Sequence, residues 1–477
     1  MSLLAACVWA LVRGLAVVLV GVPIAFHLQR RLVHMIGWPL HLAWAGILLP
    51  LLAPHLVTGY GYAHFSLSLI HHPIWNELFY DVLLLIGSVP VGIVLLQFAP
   101  AAPVSAEAVH CARLARSTRQ ITWRTQFGIW SRGPVRSLIP PAALMFLLAF
   151  QEFEIASMML VPTWTVWLFD AQVGGLPLMS SLRYAMTPAL LEIIALTPVL
   201  IVFFNSRGLV ARSGWRSGMA SDYGTTWLWS YLALSATLFW IVPWAMVLGS
   251  SWDGYRPLFQ NQTLWSDVLR GLAMATMAGG IVYPLICWLI TGTPRSWPRA
   301  AMVGGVQLAI VLGLLGPLVV SLVLLSLFQM PMVYRVYDSP LPWLCGLGCF
   351  LAPRAWLVVS MIVVARRREP NFLARLLTRS SLAAQRAEGQ RLLWRNQWVP
   401  HLWGMALLCN WAYLDGTIAA MLAPAAWVSS PVRLYNLMHY GQSSVLSAMV
   451  VVTFMMPVVF IAVLFCFHRP FVRYMLR

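Results

Sequence analysis

The chain has 477 residues, of which 31 are basic and 14 acidic, so its formal net charge at pH 7 is +17. Hydrophobic residues make up 60% of the sequence, charged residues only 9%, and the mean hydropathy is +0.77. So little charge cannot cover a water-exposed surface. Composition therefore excludes a soluble globular protein and predicts a protein that crosses a membrane many times.

Long apolar segments follow one another along the chain, and each is long enough to cross a bilayer as a helix. Hydropathy predicts about 11 such spans. In chain order they cover residues 5–26, 38–58, 80–100, 139–160, 186–205, 227–249, 270–290, 301–327, 341–364, 400–424 and 442–467. We therefore expect an all-α fold, a polytopic transmembrane helical bundle.

The basic residues are all arginine, and the predicted loops share them unevenly. If successive loops alternate in side, 24 of the 31 arginines fall on one side, in loops 27–37, 101–138, 206–226, 291–300 and 365–399 and in the C-terminal tail. The positive-inside rule assigns this side to the cytoplasm, with the N-terminus outside and the C-terminus inside. Such loops favour contact with membrane lipid, and we expect no nucleic-acid partner.

The sequence has no pattern typical of a catalytic, metal or cofactor site. It contains no lysine, which a P-loop needs for its contact with the β- and γ-phosphates, so we do not expect the chain to hydrolyse ATP itself. His64, His71 and His72 share one outer loop but lack the ligand spacing of the known zinc sites. We predict no enzyme activity, no bound metal and no cofactor.

Two stretches about 260 residues apart are similar in sequence and follow arginine-rich loops, which is typical of an internal duplication. The first comprises Leu114–Thr118, Trp123–Gln126 and Ile155–Pro162, and the second Leu377–Ser381, Trp394–Gln397 and Ile418–Pro424. In membrane proteins such repeats usually build a translocation path. The alternative is chance similarity between two apolar, arginine-rich stretches.

Residues 206–226 resemble a linker, because glycines and serines there alternate with arginine. We therefore predict a first permease half in 1–205 with about five spans, a cytoplasmic linker in 206–226, and a second half in 227–477 with about six spans. In both halves the longest arginine-rich loop precedes the last two spans. This shared placement predicts two pseudo-symmetric halves.

Several segments resemble the permease subunits of binding-protein-dependent ABC importers, particularly the fused, duplicated permeases of the ferric-iron and thiamine type. The similar segments are Glu152-Phe153, Ala352-Pro353-Arg354-Ala355 and Arg433–Gly441, within the stretches 107–205 and 341–467. The resemblance implies a bacterial inner-membrane permease that forms the solute pathway. It also implies two copies of a separate ATP-binding subunit and an extracytoplasmic solute-binding protein as partners.

In that family a cytoplasmic loop of each half forms a coupling helix that docks on the ATPase. Counting back from the closing Val399-Pro400 puts Ala387 at the position of the motif's glycine, and Arg116 takes that position in the first half. Both loops therefore lack the family's glutamate and glycine. The candidate coupling residues are Arg116, Trp123, Arg124, Gln126, Ala387, Trp394, Arg395, Gln397 and Pro400. An ordinary basic helix that binds acidic head groups is the alternative interpretation.

Ionisable side chains within predicted spans are costly to bury and therefore are functional candidates. We predict Glu152, Glu154, Glu192, Asp415 and Arg354 as residues of the solute pathway. Glu152 and Glu154 cannot face the same direction on one helix, so at most one of them would line that pathway. A path with sparse negative charge would accept a small cationic solute. Ion pairing of these acids with arginine, without any contact to solute, is the other interpretation.

Two other functions remain open from the sequence. A polytopic membrane enzyme, such as a lipid-linked transferase, usually places carboxylates or a metal-binding acidic pair at the membrane surface. The predicted outer loops contain few acids and no DxD pair, which disfavours that alternative. A permease-like scaffold without ATPase coupling is favoured by the missing glutamate and glycine.

Overall fold

The computed structural model describes residues 2–69, 71–98, 111, 122–204, 225–259, 262–291, 297–365, 368–394, 398–438 and 443–475. The regular structure in these residues is helical, with no strand among them. The all-α prediction is thus confirmed. The described chain divides into two compact units, Met1–Ala245 and Met246–Arg477. The predicted linker lies almost entirely outside the described residues.

Unit 1 contains ten helices in the described part of the chain. In chain order they are α1 (Leu3–His34), α2 (Trp38–Leu52), α3 (His55–Ser68), α4 (Pro73–Gln97), α5 (Trp123–Arg132), α6 (Pro134–Phe150), α7 (Glu154–Met158), α8 (Trp164–Val173), α9 (Leu178–Phe204) and α10 (Thr225–Ala236). A turn of π-helix, Thr237–Ile241, continues α10 into α11 (Val242–Ser251), within which the unit boundary lies.

The described part of unit 2 contains a further eleven helices beyond α11. They are α12 (Tyr255–Phe259), α13 (Gln262–Thr291), α14 (Trp297–Leu314), α15 (Pro317–Phe328), α16 (Leu341–Ala365), α17 (Arg368–Thr378), α18 (Ala383–Leu393), α19 (Val399–Leu414), α20 (Thr417–Leu422), α21 (Ser430–Met438) and α22 (Ser444–Met475). Short 3₁₀ turns lie at Trp252–Gly254 and Tyr334–Val336.

Eight helical segments among the described residues are long and apolar enough to cross a membrane. Such a series of segments is typical of a multi-pass membrane protein. They are Leu3–His34, Pro73–Gln97, Val135–Met158, Leu178–Val202, Thr225–Phe259, Thr263–Ile290, Leu341–Ala365 and Ser444–Val463. The pair α2 and α3 makes a ninth if it forms one span, although it is bent by 74°. The predicted count of about 11 spans is therefore not confirmed.

Proline explains two breaks inside predicted spans. Span 38–58 divides into α2 and α3 at Pro54, and span 301–327 divides into α14 and α15 at Pro317. Proline lacks the amide hydrogen that continues a helix, and it disfavours the helical conformation of the residue before it. Gly316, which precedes Pro317, has φ of 82°, a left-handed conformation that glycine adopts without strain.

In unit 1 the helices α1, α4 and α6 pack against one another. α3 packs on α7, α2 on α4, and α9 on both α6 and α8. The buried core of the unit includes Tyr80, Met145 and Phe239. Gly21 lets α1 approach α6 closely, because a Cβ atom there would lie 2.4 Å from the terminal methyl group of Met145.

Unit 2 repeats these helix pairs in the same chain order. α13, α16 and α19 pack against one another, α15 packs on α20, α14 on α16, and α22 on both α19 and α21. The first long helix of each unit also packs on the short helix after the last break, α1 on α8 and α13 on α21. Each unit thus contains three helices that pack against one another, together with further helix contacts in the same chain order.

Candidate functional site

The span predicted at 139–160 is broken next to Glu152. α6 ends at Phe150 and α7 begins at Glu154, so Glu152 lies outside both helices. Its Oε1 atom accepts a hydrogen bond from the Ile155 amide at 2.6 Å, and Oε2 accepts one from the Ala156 amide at 2.9 Å. The carboxyl group therefore caps the first turn of α7, whose amides have no partner within the helix.

Side chains from neighbouring elements satisfy the other polar groups at this break. The Tyr80 hydroxyl on α4 donates to Glu152 Oε2 at 3.0 Å, and the Thr165 hydroxyl donates to the Glu152 carbonyl at 2.7 Å. The Trp164 indole donates to the Phe150 carbonyl at 2.8 Å. Non-helical backbone at membrane depth is tolerated only where its polar groups have such hydrogen-bond partners. These partners therefore stabilise the break within unit 1.

Arg13 on α1 fixes the segment that returns from the break. Its guanidinium forms an ion pair with Glu77 on α4, and its two terminal nitrogens donate to the Pro162 carbonyl at 3.3 and 3.4 Å. The guanidinium carbon lies 5.5 Å from the ring centre of Tyr80, the hydroxyl donor to Glu152. Arg13 is 3% exposed, so its charge is compensated inside the unit. Its carboxylate partner is thus Glu77 and none of the predicted pathway acids.

In unit 2 the span predicted at 400–424 is broken next to Asp415. α19 ends at Leu414 and α20 begins at Thr417, and Asp415 Oδ2 accepts a hydrogen bond from the Ile418 amide at 2.9 Å. Asp415 is 8% exposed. Like Glu152 in unit 1, it is a buried acid that caps the short helix after a break.

Arg354 on α16 lies within electrostatic range of Asp415. Its Nη1 atom donates to the Phe350 carbonyl at 2.7 Å, and its guanidinium carbon lies 3.6 Å from the centre of the Phe350 ring. Charge and aromatic face together hold the guanidinium beside the break. Of the predicted pathway residues, Arg354 and Asp415 are therefore brought together within unit 2.

The segment after the second break is also held by arginine. Arg270 on α13 donates to the Ala426 carbonyl at 2.9 Å, and Arg433 on α21 forms an ion pair with Asp267 on α13. Arg270 and Arg13 thus make similar contacts in their own units, since each donates to a backbone carbonyl of the segment that follows a break. The sequence analysis did not predict this role. Its one available indication was an arginine in the first long helix of each unit.

A constant interval links the two breaks and several other positions. Pro54 and Pro317, Pro90 and Pro353, Glu152 and Asp415, and Trp164 and Trp427 are pairs of identical or like residues that each lie 263 positions apart. Pro54 and Pro317 mark the bends of the first short helix pair in each unit, while Glu152 and Asp415 mark the later breaks. The arginine-rich segments do not keep this interval, because Trp394 follows Trp123 by 271 positions.

The two remaining acidic candidates lie close to the first break. Glu154 is half-buried in the first turn of α7, in which an acidic group is favoured by the helix dipole. Glu192 is fully buried in α9, and the Gln151 side chain approaches it. Glu152 and Glu154 were expected on one continuous helix. The break overturns that expectation, since the carboxyl group of Glu152 is used as a helix cap.

Both arginine-rich segments contain two aromatic residues four positions apart, of which Trp394 is half-buried and the other three are exposed. In α5, Trp123 is 73% exposed and Phe127 is 66% exposed. After α18, Trp394 stacks on Trp398 with ring centres 6.0 Å apart, and Trp398 is 58% exposed. Such aromatic pairs fit a protein groove or a lipid interface.

The other predicted coupling residues are distributed over both segments. Arg124 is exposed on α5, Gln126 lies in the same helix, Ala387 is half-buried in α18, and Pro400 begins α19. Arg116, Arg395 and Gln397 lie outside the described residues. Among the residues that the structure describes, no three histidine, cysteine or acidic side chains gather as ligands for a metal ion.

No protein family model, no curated protein and no solved structure matches this chain.

Proposed function

We propose that the chain is the permease subunit of a membrane importer and that it forms the pathway for a small solute. One observation supports this proposal above the others, namely that each unit breaks a membrane helix at a buried acid that caps the next short helix. Discontinuous helices of this kind recur at the substrate sites of transporters. They are expensive to maintain in a bilayer, where every backbone group needs a partner, so a role that uses them is favoured over a purely structural one.

The repeated helix order supports a duplicated, pseudo-symmetric permease. Eight helix pairs of unit 1 have a counterpart in unit 2, among them α1·α4 and α13·α16, or α3·α7 and α15·α20. The constant interval of 263 positions between Glu152 and Asp415 supports the same origin. Parallel duplication is a usual way to build a translocation path in membrane proteins.

The aromatic pairs, in which Trp123, Phe127 and Trp398 are exposed and Trp394 is half-buried, support docking of a separate ATPase. Trp123 with Phe127, and Trp394 with Trp398, stand on segments that the positive-inside rule assigns to the cytoplasm. A coupling element must offer an exposed anchor on a helix that is attached to the membrane core. α5 meets this requirement through its packing on α6. That ATP hydrolysis drives the import is inferred from the resemblance to ABC importers.

The charges beside the breaks favour a small cationic solute. Glu152 and Asp415 are buried, and two arginines near them, Arg13 and Arg354, already contact carbonyl groups or aromatic rings. An anion would meet buried carboxyl groups in a medium of low dielectric constant, where repulsion is strong. A cation would be attracted by the same groups.

Co-purification with an ATPase tests the proposal. The full-length chain, extracted in mild detergent from its own cells, should carry a P-loop ATPase that mass spectrometry identifies. Trp123→Ala together with Trp394→Ala should abolish this association, because both docking anchors are removed. Trp252→Ala is the matched control: Trp252 is 82% exposed but lies on the opposite predicted side, so the ATPase should be retained.

Failure of this test has a defined meaning. If no ATPase accompanies the wild-type chain, or if all variants retain it equally, coupling through these segments is refuted. The permease-like scaffold, which the missing motif residues favour, would then be the better description.

A further inference from the structure

Glu192 is an acidic residue with an unusual position in unit 1. It lies near the middle of α9, inside the candidate span Leu178–Val202, and its exposed fraction is 0%. Glutamate is almost never fully buried in proteins unless it is paired. The surroundings of Glu192 therefore decide what its carboxyl group binds.

Among the described residues, neither carboxyl oxygen of Glu192 has a cation, a backbone amide or a hydroxyl as hydrogen-bond partner. The Gln151 side chain approaches it, and the Cys7 thiol on α1 is the titratable group beside it. Glu152, only one residue after Gln151, is equally enclosed, yet its two oxygens accept three hydrogen bonds. The two buried glutamates thus lie close together but differ in the hydrogen bonds that their carboxyl oxygens accept.

The charged groups on the helices around α9 are placed too far away or are already engaged. Arg136 on α6 donates to the Val202 carbonyl, ten residues beyond Glu192 and about 15 Å along the helix. α8 contains Asp170 and contacts the start of α9, where the Trp167 ring meets Tyr184 about 12 Å before Glu192. On α1, Arg13 lies two turns beyond Cys7 and pairs with Glu77.

An ionised carboxylate at this position would have lost its hydration without gaining a cation or enough hydrogen-bond donors. Such a group takes up a proton instead, because the neutral acid avoids the cost of a bare buried charge. A calcium or magnesium ion would need about six oxygen ligands, and no three histidine, cysteine or acidic side chains gather as metal ligands among the described residues. The surroundings of the Glu192 carboxyl group therefore suit a bound proton and not a metal cation.

We propose that the Glu192 carboxyl group is a proton-binding site within the membrane-embedded part of unit 1. The repeat interval gives no second copy of the site, because Met455 stands 263 positions later, where it would place the counterpart of Glu192. The site adjoins the break, which begins at Gln151 directly after α6. Proton binding goes beyond the proposed ATP-driven import, and its test requires neither an ATPase nor a solute.

Infrared difference spectroscopy of the purified full-length chain tests this site. The spectrum of the wild type minus that of Glu192→Gln should contain one carbonyl band of a protonated carboxyl group, which shifts in heavy water. Glu388→Gln is the matched control, since the Glu388 side chain is 55% exposed and pairs with Arg391. That difference should contain the bands of an ionised carboxylate. The Glu192 band should persist at neutral pH.

The proposal is overturned if Glu192→Gln removes the bands of an ionised carboxylate, as the control does. Should Glu192→Gln fail to fold, the wild type supplies a second measurement with the lipid-soluble reagent dicyclohexylcarbodiimide. Its nitrogen takes the proton of a neutral carboxyl group while the carboxyl oxygen bonds to its central carbon, so only the protonated acid reacts. Peptide mapping should find the adduct at Glu192 and none at Glu388, and the reverse pattern would also overturn the proposal.

Discussion

At the scale of single residues, the buried acids show that one chemical group can be accommodated in different ways. Glu152 accepts two backbone amides and the Tyr80 hydroxyl, whereas Asp415 accepts the Ile418 amide and has Arg354 nearby. Glu192 has no such donors among the described residues. The free energy of burying a carboxyl group is offset by donors or cations, or is avoided by protonation.

Removal of the cap at Glu152 should destabilise unit 1. Glu152→Ala leaves the Ile155 and Ala156 amides and the Tyr80 hydroxyl without their acceptor, which should lower the free energy of unfolding by about 2–4 kcal/mol. Tyr80→Phe removes one of these bonds and should cost about 1 kcal/mol. Thermal unfolding of the detergent-solubilised variants measures both effects. An equal loss in the two variants would show that the carboxyl group does not act as the cap.

At the scale of elements, the breaks in the helices were the main departure from expectation. Hydropathy predicted continuous spans at 139–160, 301–327 and 400–424, and the structure divides each of them. A window average treats the apolar residues on both sides of a break as one segment. Pro317 indicates one break locally, but the breaks at Glu152 and Asp415 depend on a polar side chain that turns back to cap the next helix.

Close contact between α14 and α16 should depend on a single glycine. A Cβ atom at Gly313 would lie 1.9 Å from the Cys349 carbonyl oxygen, so Gly313→Ala forces the two helices apart. We expect a loss of about 1–3 kcal/mol in the free energy of unfolding. Gly304→Ala on the same helix is the matched control, because nothing lies within 4 Å of a Cβ there. Equal thermal stability of the two variants would contradict this packing.

At the scale of the whole molecule, the predicted sidedness of the chain rests on its arginines. If successive predicted loops alternate in side, 24 of the 31 arginines fall on one side, and the positive-inside rule predicts that this side is cytoplasmic. The proposed docking of an ATPase requires this orientation. A reversed orientation would place Trp123 and Trp394 outside the cell and remove the basis of the coupling proposal.

Cysteine labelling checks the orientation directly. Asp253 and Glu388 are exposed and lie on opposite predicted sides, outside and cytoplasmic respectively. A membrane-impermeant thiol reagent should label Asp253→Cys in intact cells, and it should label Glu388→Cys only after permeabilisation. The native Cys111 is exposed on the predicted cytoplasmic side and serves as an internal control. Labelling of Glu388→Cys in intact cells would reverse the predicted topology.

The sequence by itself determined the helical, membrane-spanning class, because the free energy of placing about 20 apolar residues in a bilayer is a sum over neighbouring positions. It also indicated the repeat and the candidate acids Glu152, Glu192 and Asp415. Their partners could not be predicted. Arg13 meets Glu77 across 64 positions of sequence, and Tyr80 meets Glu152 across 72.

Only the tertiary structure decided which buried group is satisfied and which is not. Glu152 and Glu192 have the same side chain and comparable apolar surroundings in the sequence. Glu152 accepts two backbone amides and a hydroxyl, whereas Glu192 has the Gln151 side chain beside it and no such donors among the described residues. The physical reason is that hydrophobic burial is non-directional and can be added residue by residue. Hydrogen bonds and ion pairs require particular atoms within about 3 Å, and the packing of helices distant in sequence sets those distances.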